Sequence, residues 1–272
     1  MPGGFPLGLE LCNGNQIGGT TSSRGTQLSL GTNTPGSWTQ ISSSTPYDAC
    51  WIELMIASAT NTNQPGFVDL GIGGSGSEKV ICSNLGASPA ASICTHFSFP
   101  MVIPAGTRVS ARGQGAGGGS NNAFTSLILF DAAMTMVEGA AGVDSMGFVS
   151  ASSKGTAVTP STTANTKGSY AELTSATARD YIGLMVYWDA GFTGMSTSHH
   201  LMDIAIGGSG SEINIIPNLL MATFATTPYT IWPPASPFFP ISIPAGTRIA
   251  ARMQSSASSH PAICTTVYGV YQ

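Results

Sequence analysis

The chain has 272 residues, of which 42% are apolar and only 8% are charged, and its formal net charge is −4. Typical soluble domains carry about 25% charged residues, so we expect a surface that associates readily and is largely covered in an assembly. Nine Lys and Arg residues without a basic run exclude a phosphate-binding surface, so no nucleic acid partner is expected. No apolar stretch reaches the roughly 18 residues of a membrane span, so no membrane partner is expected.

The cysteines and the first residues indicate a reducing compartment. The five cysteines are odd in number and show no C-x-x-C spacing, which favours free thiols over a disulfide framework. The opening MPGGFPLGLELC has neither the basic nor the long apolar segment of a secretory signal. We therefore expect a protein that is made and assembled in the cytoplasm.

Residues 1–16 are predicted to form an extended N-terminal arm. Apolar side chains alternate along one edge of it, at Phe5, Leu7, Leu9 and Leu11. Burying four such side chains gives about 6–12 kcal/mol, whereas ordering about ten backbone residues costs about 10–20 kcal/mol. The arm is therefore either a docking segment that also pairs with a sheet edge, or a frayed terminus.

Residues 17–132 are predicted to form a first β-sandwich. In FVDLGI (67–72) apolar residues alternate with Asp69 and Gly71, as in a half-buried strand. A Gly/Ser run then predicts a turn, and EKVIC (78–82) predicts the returning strand. IPAGTRVSAR (103–112) predicts a turn followed by a strand, and no helical apolar stripe occurs.

A linker is predicted at 133–142, and residues 143–272 repeat the first sandwich. IPAGTRIAAR (243–252) shares eight of ten residues with the segment 140 positions earlier, and DIAIGGSGSE (203–212) answers DLGIGGSGSE. WIELMI (51–56) is matched with YIGLMV (181–186). Short strands with Gly/Pro-rich turns predict an all-β fold of two tandem jelly-roll-like antiparallel β-sandwich domains.

Two features of the repeated turn resemble binding sites. GIGGSG (71–76) matches the glycine pattern of a dinucleotide site, but a strand-like segment follows it where that site needs a helix. We therefore expect a hairpin turn. Asp69 and Glu78, like Asp203 and Glu212, flank the turn and could hold Ca²⁺ with turn carbonyls, although no dense acidic pattern supports this. We expect no cofactor and no metal.

Four of the nine basic residues occupy the same two repeat positions, at Arg108, Arg112, Arg248 and Arg252. Each pair lies at i, i+4 on one strand face, which indicates structural pairing with carboxylates within the domain or across a subunit contact, with ligand binding as the alternative. The histidines show no catalytic or metal-binding spacing and are expected in solvent-exposed loops. With no general base assembled, we expect no enzyme and no catalytic residues.

The aromatic residues divide into matched and unmatched positions. Trp38 and Tyr170, like Trp51 and Tyr181, fall in matching positions of the two repeats and are predicted to be core, with glycan-stacking platforms as the alternative. Trp232 begins WPPASPFFP in a loop that is six residues longer in the second repeat. That loop is the expected place for a partner contact.

The motifs GGSGSE and IPAGTRIAARMQS, within Ser/Thr/Gly/Ala-rich strands, resemble the β-sandwich virion proteins of tailed bacteriophages. The resemblance covers about a third of each repeat. It implies a non-enzymatic building block of the virion, assembled in the host cytoplasm. This building block either decorates or cements the capsid, or belongs to the tail, collar or fibres, where receptor or glycan binding is included.

The third interpretation is a carbohydrate-active enzyme or lectin outside a virion. The partners implied by the resemblance are other virion proteins, namely the major capsid protein or tail and collar proteins. A homo-oligomer is also expected, with the trimer suggested by analogy with other jelly rolls.

Overall fold

A computed structural model describes residues 16–17, 25–58, 66–87, 94–116, 122–131, 139–189, 195–225 and 230–272. These residues form eighteen β-strands and no helix, so the all-β prediction is confirmed, and none of them forms a helix that could span a membrane. The strands are β1 (Gln16–Ile17), β2 (Thr26–Thr32), β3 (Thr39–Ser42), β4 (Ala49–Ser58), β5 (Gly66–Ile72), β6 (Lys79–Ala87), β7 (Cys94–Phe99), β8 (Val109–Gly115), β9 (Asn122–Asp131), β10 (Gly142–Met146), β11 (Thr156–Val158), β12 (Ala171–Thr174), β13 (Gly183–Asp189), β14 (Ser198–Ile206), β15 (Ile213–Phe224), β16 (Thr230–Trp232), β17 (Ile249–Ser255) and β18 (Ile263–Tyr271).

The first half of the chain, through β9, folds as a sandwich of two layers. One layer has the order β3–β8–β5–β6, and the other places β9 between β4 and the strands β1 and β2, with β7 outside β4. Strand β2 joins the layers, because Thr26–Ser29 pair with β9 whereas Leu30–Thr32 run parallel to β8. The strands β6 and β7 are therefore left at the open side of this sandwich.

The second half, from β10 onward, repeats this arrangement. Its first layer has the order β12–β17–β14–β15–β16, and its second places β18 between β13 and the strands β10 and β11. Residues 235–239 lie along β13 through the bridges Leu184–Phe239 and Tyr187–Ala235, as β7 lies along β4. The prediction of two tandem jelly-roll-like sandwiches is confirmed.

The registers of the two halves correspond strand by strand. Asp69 pairs with Arg112 in β5–β8, and Asp203 pairs with Arg252 in β14–β17. One predicted match is wrong by two residues, because Tyr181 bridges Ile243 where Ala49, and not Trp51, bridges Ile103. The boundaries 17–132 and 143–272, and the duplication itself, stay predictions, and β10 begins at Gly142 inside the predicted linker.

The repeated IPAGT segment is a turn held by a Thr-x-x-Asp segment earlier in the chain. The Thr45 hydroxyl donates to the carbonyl of Pro104 (2.6 Å), and the Asp48 carboxylate accepts the Ala105 N–H (2.7 Å). Gly106 in this turn has φ +75°, which a side chain would strain. The second half repeats the same bonds from Thr177 to Pro244 (2.7 Å) and from Ala245 to Asp180 (2.7 Å).

The two sandwiches are not independent, because the second inserts into the open side of the first. Tyr187 and Tyr268 are fully buried in the core of the first half, where the Phe97 ring lies 6.4 and 5.4 Å from theirs. Strand β10 also bridges β6 in parallel, which links both halves into a thirteen-stranded sheet among the described strands. The pairings β10–β6 and β2–β8 are parallel, and both occur where a strand joins two layers or two halves of otherwise antiparallel sandwiches.

Hydrogen bonds fix the position of the two inserted tyrosines. The Tyr268 hydroxyl accepts the Gly86 N–H (2.9 Å) and donates to the Asn84 carbonyl (2.7 Å), and the Tyr187 hydroxyl donates to the Ala87 carbonyl (3.1 Å). A Cβ on Gly86 would lie 2.3 Å from the Tyr187 ring, so only glycine fits there. The β6 edge is thus shaped for the second half.

Candidate functional site

One arginine of the first pair, Arg112, lies over the outer face of β5 and β8. The Arg112 Nε donates to Asp69 Oδ2 (2.9 Å), and its guanidinium stacks 4.6 Å from the centre of the Trp38 ring. The other oxygen of Asp69 accepts the N–H of Asn84 (2.9 Å), a residue with φ +52°. This carboxylate is buried and satisfied from two strands, which fits a structural role.

The second half builds the same cluster with one additional cation. The Arg252 Nε donates to Asp203 Oδ2 (3.0 Å) and its guanidinium stacks 4.6 Å from the Tyr170 ring, while Asn218 N–H donates to Oδ1 (2.9 Å). The Lys167 ammonium adds a bond of 2.7 Å to Oδ1. Burial alone would raise the pKa of Asp203, but the bonds from Lys167, Asn218 and Arg252 hold it below its usual value.

The other arginine of each pair closes the Gly/Ser hairpin between β5 and β6 or between β14 and β15. Arg108 Nη1 donates to Glu78 Oε1 (2.8 Å) and to the Gly73 carbonyl (3.1 Å). Its Nε donates to Gln40 Oε1 (3.0 Å). Burial opposes ionisation of Glu78, yet backbone hydrogen bonds and the Arg108 guanidinium together lower the pKa of this carboxyl. The glycine pattern GIGGSG is therefore the hairpin turn that the sequence indicated.

In the second half Arg248 occupies the same place but contacts two carboxylates. Its Nη1 donates to Glu212 Oε1 (3.1 Å) and to the Gly207 carbonyl (3.0 Å), and its Nε donates to Glu172 Oε2 (2.7 Å). The backbone N–H of Glu212 donates to the carboxylate of the same residue and lowers its pKa. Burial opposes this shift, and the hydrogen bond from Arg248 adds to it. The hydrogen bond to Glu172 raises the pKa of Arg248.

All four arginines thus pair with carboxylates of their own half. The four acidic residues weighed above as calcium ligands are the acceptors of these bonds, so each already has a cationic partner. Across the described parts of the chain, no group of three His, Cys, Asp or Glu side chains is placed to hold a metal ion.

The matched aromatic residues are not all core, so that prediction needs correction. Tyr181 is buried, but Trp38 and Tyr170 are half-buried on the outer face, where each covers an arginine. A Cβ on Gly71 would lie 2.6 Å from Trp38, so the first half has glycine beside the large ring. At the equivalent positions the second half has Ala205 and the smaller Tyr170. Each ring therefore covers the arginine of an ion pair.

The histidines also differ from the prediction of exposed loops. His96 and His199 are exposed but lie in strands β7 and β14, while His200 and His260 are 1% and 4% exposed. Adjacent residues on a strand point to opposite faces, so His199 faces solvent when His200 faces inward. His260 lies in the segment before β18, and its approach to His200 depends on the fold.

The two buried histidines pack against each other around one threonine. Their ring centres lie 4.4 Å apart, and the Thr223 hydroxyl lies 3.0 Å from His200 Nε2 and 3.3 Å from His260 Nε2. The His260 Nδ1 donates to the carbonyl of Pro261 (2.8 Å). Burial, followed by the neighbouring His260 and His199, lowers the pKa of His200 to about 4. His200 is therefore held neutral near pH 7.

Trp232 lies at the mouth of a cleft between the two halves. The cleft has a volume of about 520 Å³ and is lined by Trp51, Trp232 and Phe238 together with His96 and the small residues around them. Trp232 is 59% exposed, and Trp51 meets the edge of Phe238 with ring centres 6.4 Å apart. The long loop of the second repeat thus forms one wall of this aromatic cleft.

One carboxylate, Glu53, contacts three of the residues that line the cleft. Glu53 accepts hydrogen bonds at Oε1 from Ser98 (2.6 Å) and from the Trp51 indole (2.8 Å), and His96 contacts its other oxygen. Serine and histidine therefore both contact the acid, whereas in a catalytic triad the histidine lies between them. The arrangement orients Trp51 and does not activate the serine.

An apolar strip follows the outer edge of the second half along β15 and β16. Its members are exposed large side chains, namely Ile213 (67%), Leu220 (62%), Phe224 (39%) and Trp232 (59%). Strand β15 carries no charged residue, and within the described chain its segment 213–221 pairs only with β14. An uncharged edge with exposed apolar side chains is typical of a surface that another chain covers.

The remaining candidate residues, Phe5, Leu7, Leu9 and Leu11, lie outside the described residues, and the docking-arm prediction stays a prediction. The hydrogen bonds by which the Thr-x-x-Asp segments hold the IPAGT turns, which we call the Thr-x-x-Asp staples, were not predicted, and neither was the buried histidine pair. The staples do have a sequence signal, because Thr45 and Asp48 recur 132 positions later as Thr177 and Asp180. The histidine pair has no such signal.

No protein-family model matches the chain, and no curated protein matches it. Among solved structures, the chain is similar to the cryo-EM structure of Broad Bean Stain Virus, over 93% of this chain and 92% of that chain. The sequence identity is 10% and the TM-score is 0.31. A likeness at this TM-score supports no conclusion about function.

Proposed function

We propose that the chain is a non-enzymatic structural protein of a virus particle, one that decorates or cements the capsid of a tailed bacteriophage. The observation that carries this proposal is the apolar strip on β15 and β16, which is exposed and free of charged residues. The resemblance of the GGSGSE and IPAGTR motifs to phage virion proteins supplies the kind of assembly.

The ionic groups of the chain support the same function. At least seven of the nine Lys and Arg side chains lie within 4 Å of a carboxylate of the same chain. Charges that are already paired contribute little to long-range steering or to solubility. Attachment would therefore depend on apolar contact and shape, and should resist high salt.

The test is the location of the chain in the virus that encodes it. Particles are separated into heads and tails, washed in high salt and mild detergent, and probed with an antibody to the chain. A capsid protein stays with the heads after washing. Release at high salt, or recovery with the tails, would contradict a capsid cement.

The second candidate is a tail, collar or fibre protein that binds receptor glycans. The observation in its favour is the cleft that is lined by Trp51, Trp232 and Phe238 together with Ser98 and His96, because sugar rings stack on aromatic faces while polar side chains form hydrogen bonds with their hydroxyl groups. On this interpretation the exposed Trp232 contacts a host polysaccharide.

A glycan array with wild type and Trp232→Ala separates the two candidates. Binding that is lost with the substitution supports the receptor function, and the exposed Val149→Ala serves as a control that should keep binding. No binding to any glycan favours the capsid function. Hydrolysis of a glycan that is lost in Glu53→Gln would instead establish an enzyme.

A further inference from the structure

The contact between the two halves uses two different surfaces. On the second half it is the outer face of β13 and β18, whose members are buried in the core of the first half: Met185, Tyr187, Tyr268 and Val270. On the first half it is the edge of β6, where Gly86 and Ala87 receive the tyrosines. We call these surfaces the face and the edge.

Because the halves share their registers, each surface has an equivalent on the other half. The pairing Leu54–Leu127 in β4–β9 corresponds to Val186–Val267 in β13–β18, so Met55 and Ile128 occupy the places of Tyr187 and Tyr268. The pairing Phe67–Gly86 in β5–β6 corresponds to Leu201–Leu220 in β14–β15. Among the described residues, the face around Met55 and Ile128 and the edge around Leu220 take no part in the contact between the halves, and we call these surfaces unused.

Both unused surfaces are apolar and accessible. Met55 and Ile128 are partly exposed on the outer side of the first half, and Leu220 is 62% exposed on the edge of the second. Strand β16 pairs with β15 only from Ala222 to Phe224, beyond the residues that correspond to the contact region of β6. The charged group on the face, Glu53, is already paired with His96.

The two pairs of surfaces differ in the side chains that they bring together. In the contact within the chain a large Tyr187 meets Gly86, and any side chain at Gly86 would overlap the ring. In the unused pair a smaller, flexible Met55 stands opposite Leu220. Both side chains of this second pair are apolar and flexible, so they can adjust to each other without a glycine at either position.

We propose that the edge on the second half binds the face on the first half of another copy of this chain. Each contact joins two different surfaces, so it is heterologous and each chain can bind two neighbours, which gives a closed ring or an open array. This inference names a partner for the assembly function proposed above, and it rests on that function. The contact itself can be measured on the purified chain.

Two variants that each disable one surface test the proposal. Leu220→Glu places a charge on the edge, and Met55→Glu places one on the face. Both positions are accessible, so circular dichroism should show both variants folded. In sedimentation velocity, wild type should associate over a range of concentrations, and each variant should associate at least tenfold more weakly. Val149→Glu, at a residue that is 77% exposed elsewhere, should behave as wild type.

An equimolar mixture of the two variants identifies the geometry. A chain with only an intact face can bind a chain with only an intact edge, so the mixture should form dimers and stop there. Edge-to-edge pairing predicts instead that Met55→Glu associates normally and that mixing restores nothing, which would overturn the proposal.

A wild type that stays monomeric at every concentration would also overturn the inference. Location in heads or tails does not enter this measurement. A chain that assembles head to tail but is absent from virions would therefore contradict the proposed function alone.

Discussion

The two halves of the chain have the same strand order but close their open sides differently. The first half leaves β6 and β7 apart, and the second half fills that gap with Tyr187 and Tyr268. The second half has a longer loop of its own, which adds β16 beside β15 and buries Ile231 in its core. The first half thus depends on the second half to close its open side. The second half is partly closed by its own loop and keeps an apolar edge.

This difference explains why a motif can be repeated while its surroundings diverge. The IPAGT turn, its Thr-x-x-Asp staple and the two Arg–carboxylate clusters serve each sandwich internally, so both halves keep them. Gly86 and Leu220 occupy equivalent positions that face outward, so their identity follows what each half meets.

The largest expected effect compares Tyr268 with Ile128, its equivalent in the first half. Tyr268→Ala removes a fully buried ring and leaves the Gly86 N–H without its bond, so we expect a loss of about 3–5 kcal/mol in the free energy of unfolding. Ile128→Ala at a partly exposed position should lose about 1 kcal/mol. Urea denaturation at low chain concentration measures both, and equal losses would mean that the halves do not differ in this way.

The sequence predicted the repeated elements well because their patterns are local. Alternation in FVDLGI, the Gly/Ser hairpin and the arginine spacing all follow from strand periodicity and turn chemistry within ten residues. The insertion of Tyr187 and Tyr268 could not be predicted, because it joins residues 100 and 182 positions away from their partners in β6. The same holds for His200 and His260, which β14 and the segment before β18 bring together.

The match of Trp51 with Tyr181 failed for a different reason. A shift of two residues along a strand keeps the same side chains on the same face, so apolar alternation alone cannot distinguish the two registers. The bridges at Ala49 and Tyr181 decide it, and they depend on the turn that follows Ile103 or Ile243.

The next prediction concerns the pH dependence of stability. It applies to the second half alone, because the first half has Gly66 at the position equivalent to His200. The pKa of His200 is lowered to about 4, and that of an unfolded histidine is about 6.5. Stability is therefore complete above pH 6.5. It falls progressively toward pH 4 as the unfolded state binds a proton that the folded state does not. The loss between pH 7 and pH 5 should be about 2 kcal/mol.

Comparing wild type with His200→Leu at these two pH values isolates this contribution. The substituted chain should lose less stability than wild type between them, while His199→Leu, at the exposed neighbour, should retain most of the wild-type dependence, because burial is the main cause of the lowered pKa. If His200→Leu left the pH dependence unchanged, the buried histidine would not be its source.

The smallest expected difference lies between the two Arg–Asp clusters. Arg112→Ala leaves the buried Asp69 with the Asn84 N–H alone and no cation, and should lower the free energy of unfolding by about 2–3 kcal/mol. Arg252→Ala leaves Asp203 still bonded to Lys167, and should cost about 1 kcal/mol. In a Lys167→Met background the cost of Arg252→Ala should rise to that of Arg112→Ala, since the carboxylate then loses both cations. Additive effects of the two substitutions would show that Lys167 does not compensate for Arg252, and that the clusters are equivalent despite their different partners.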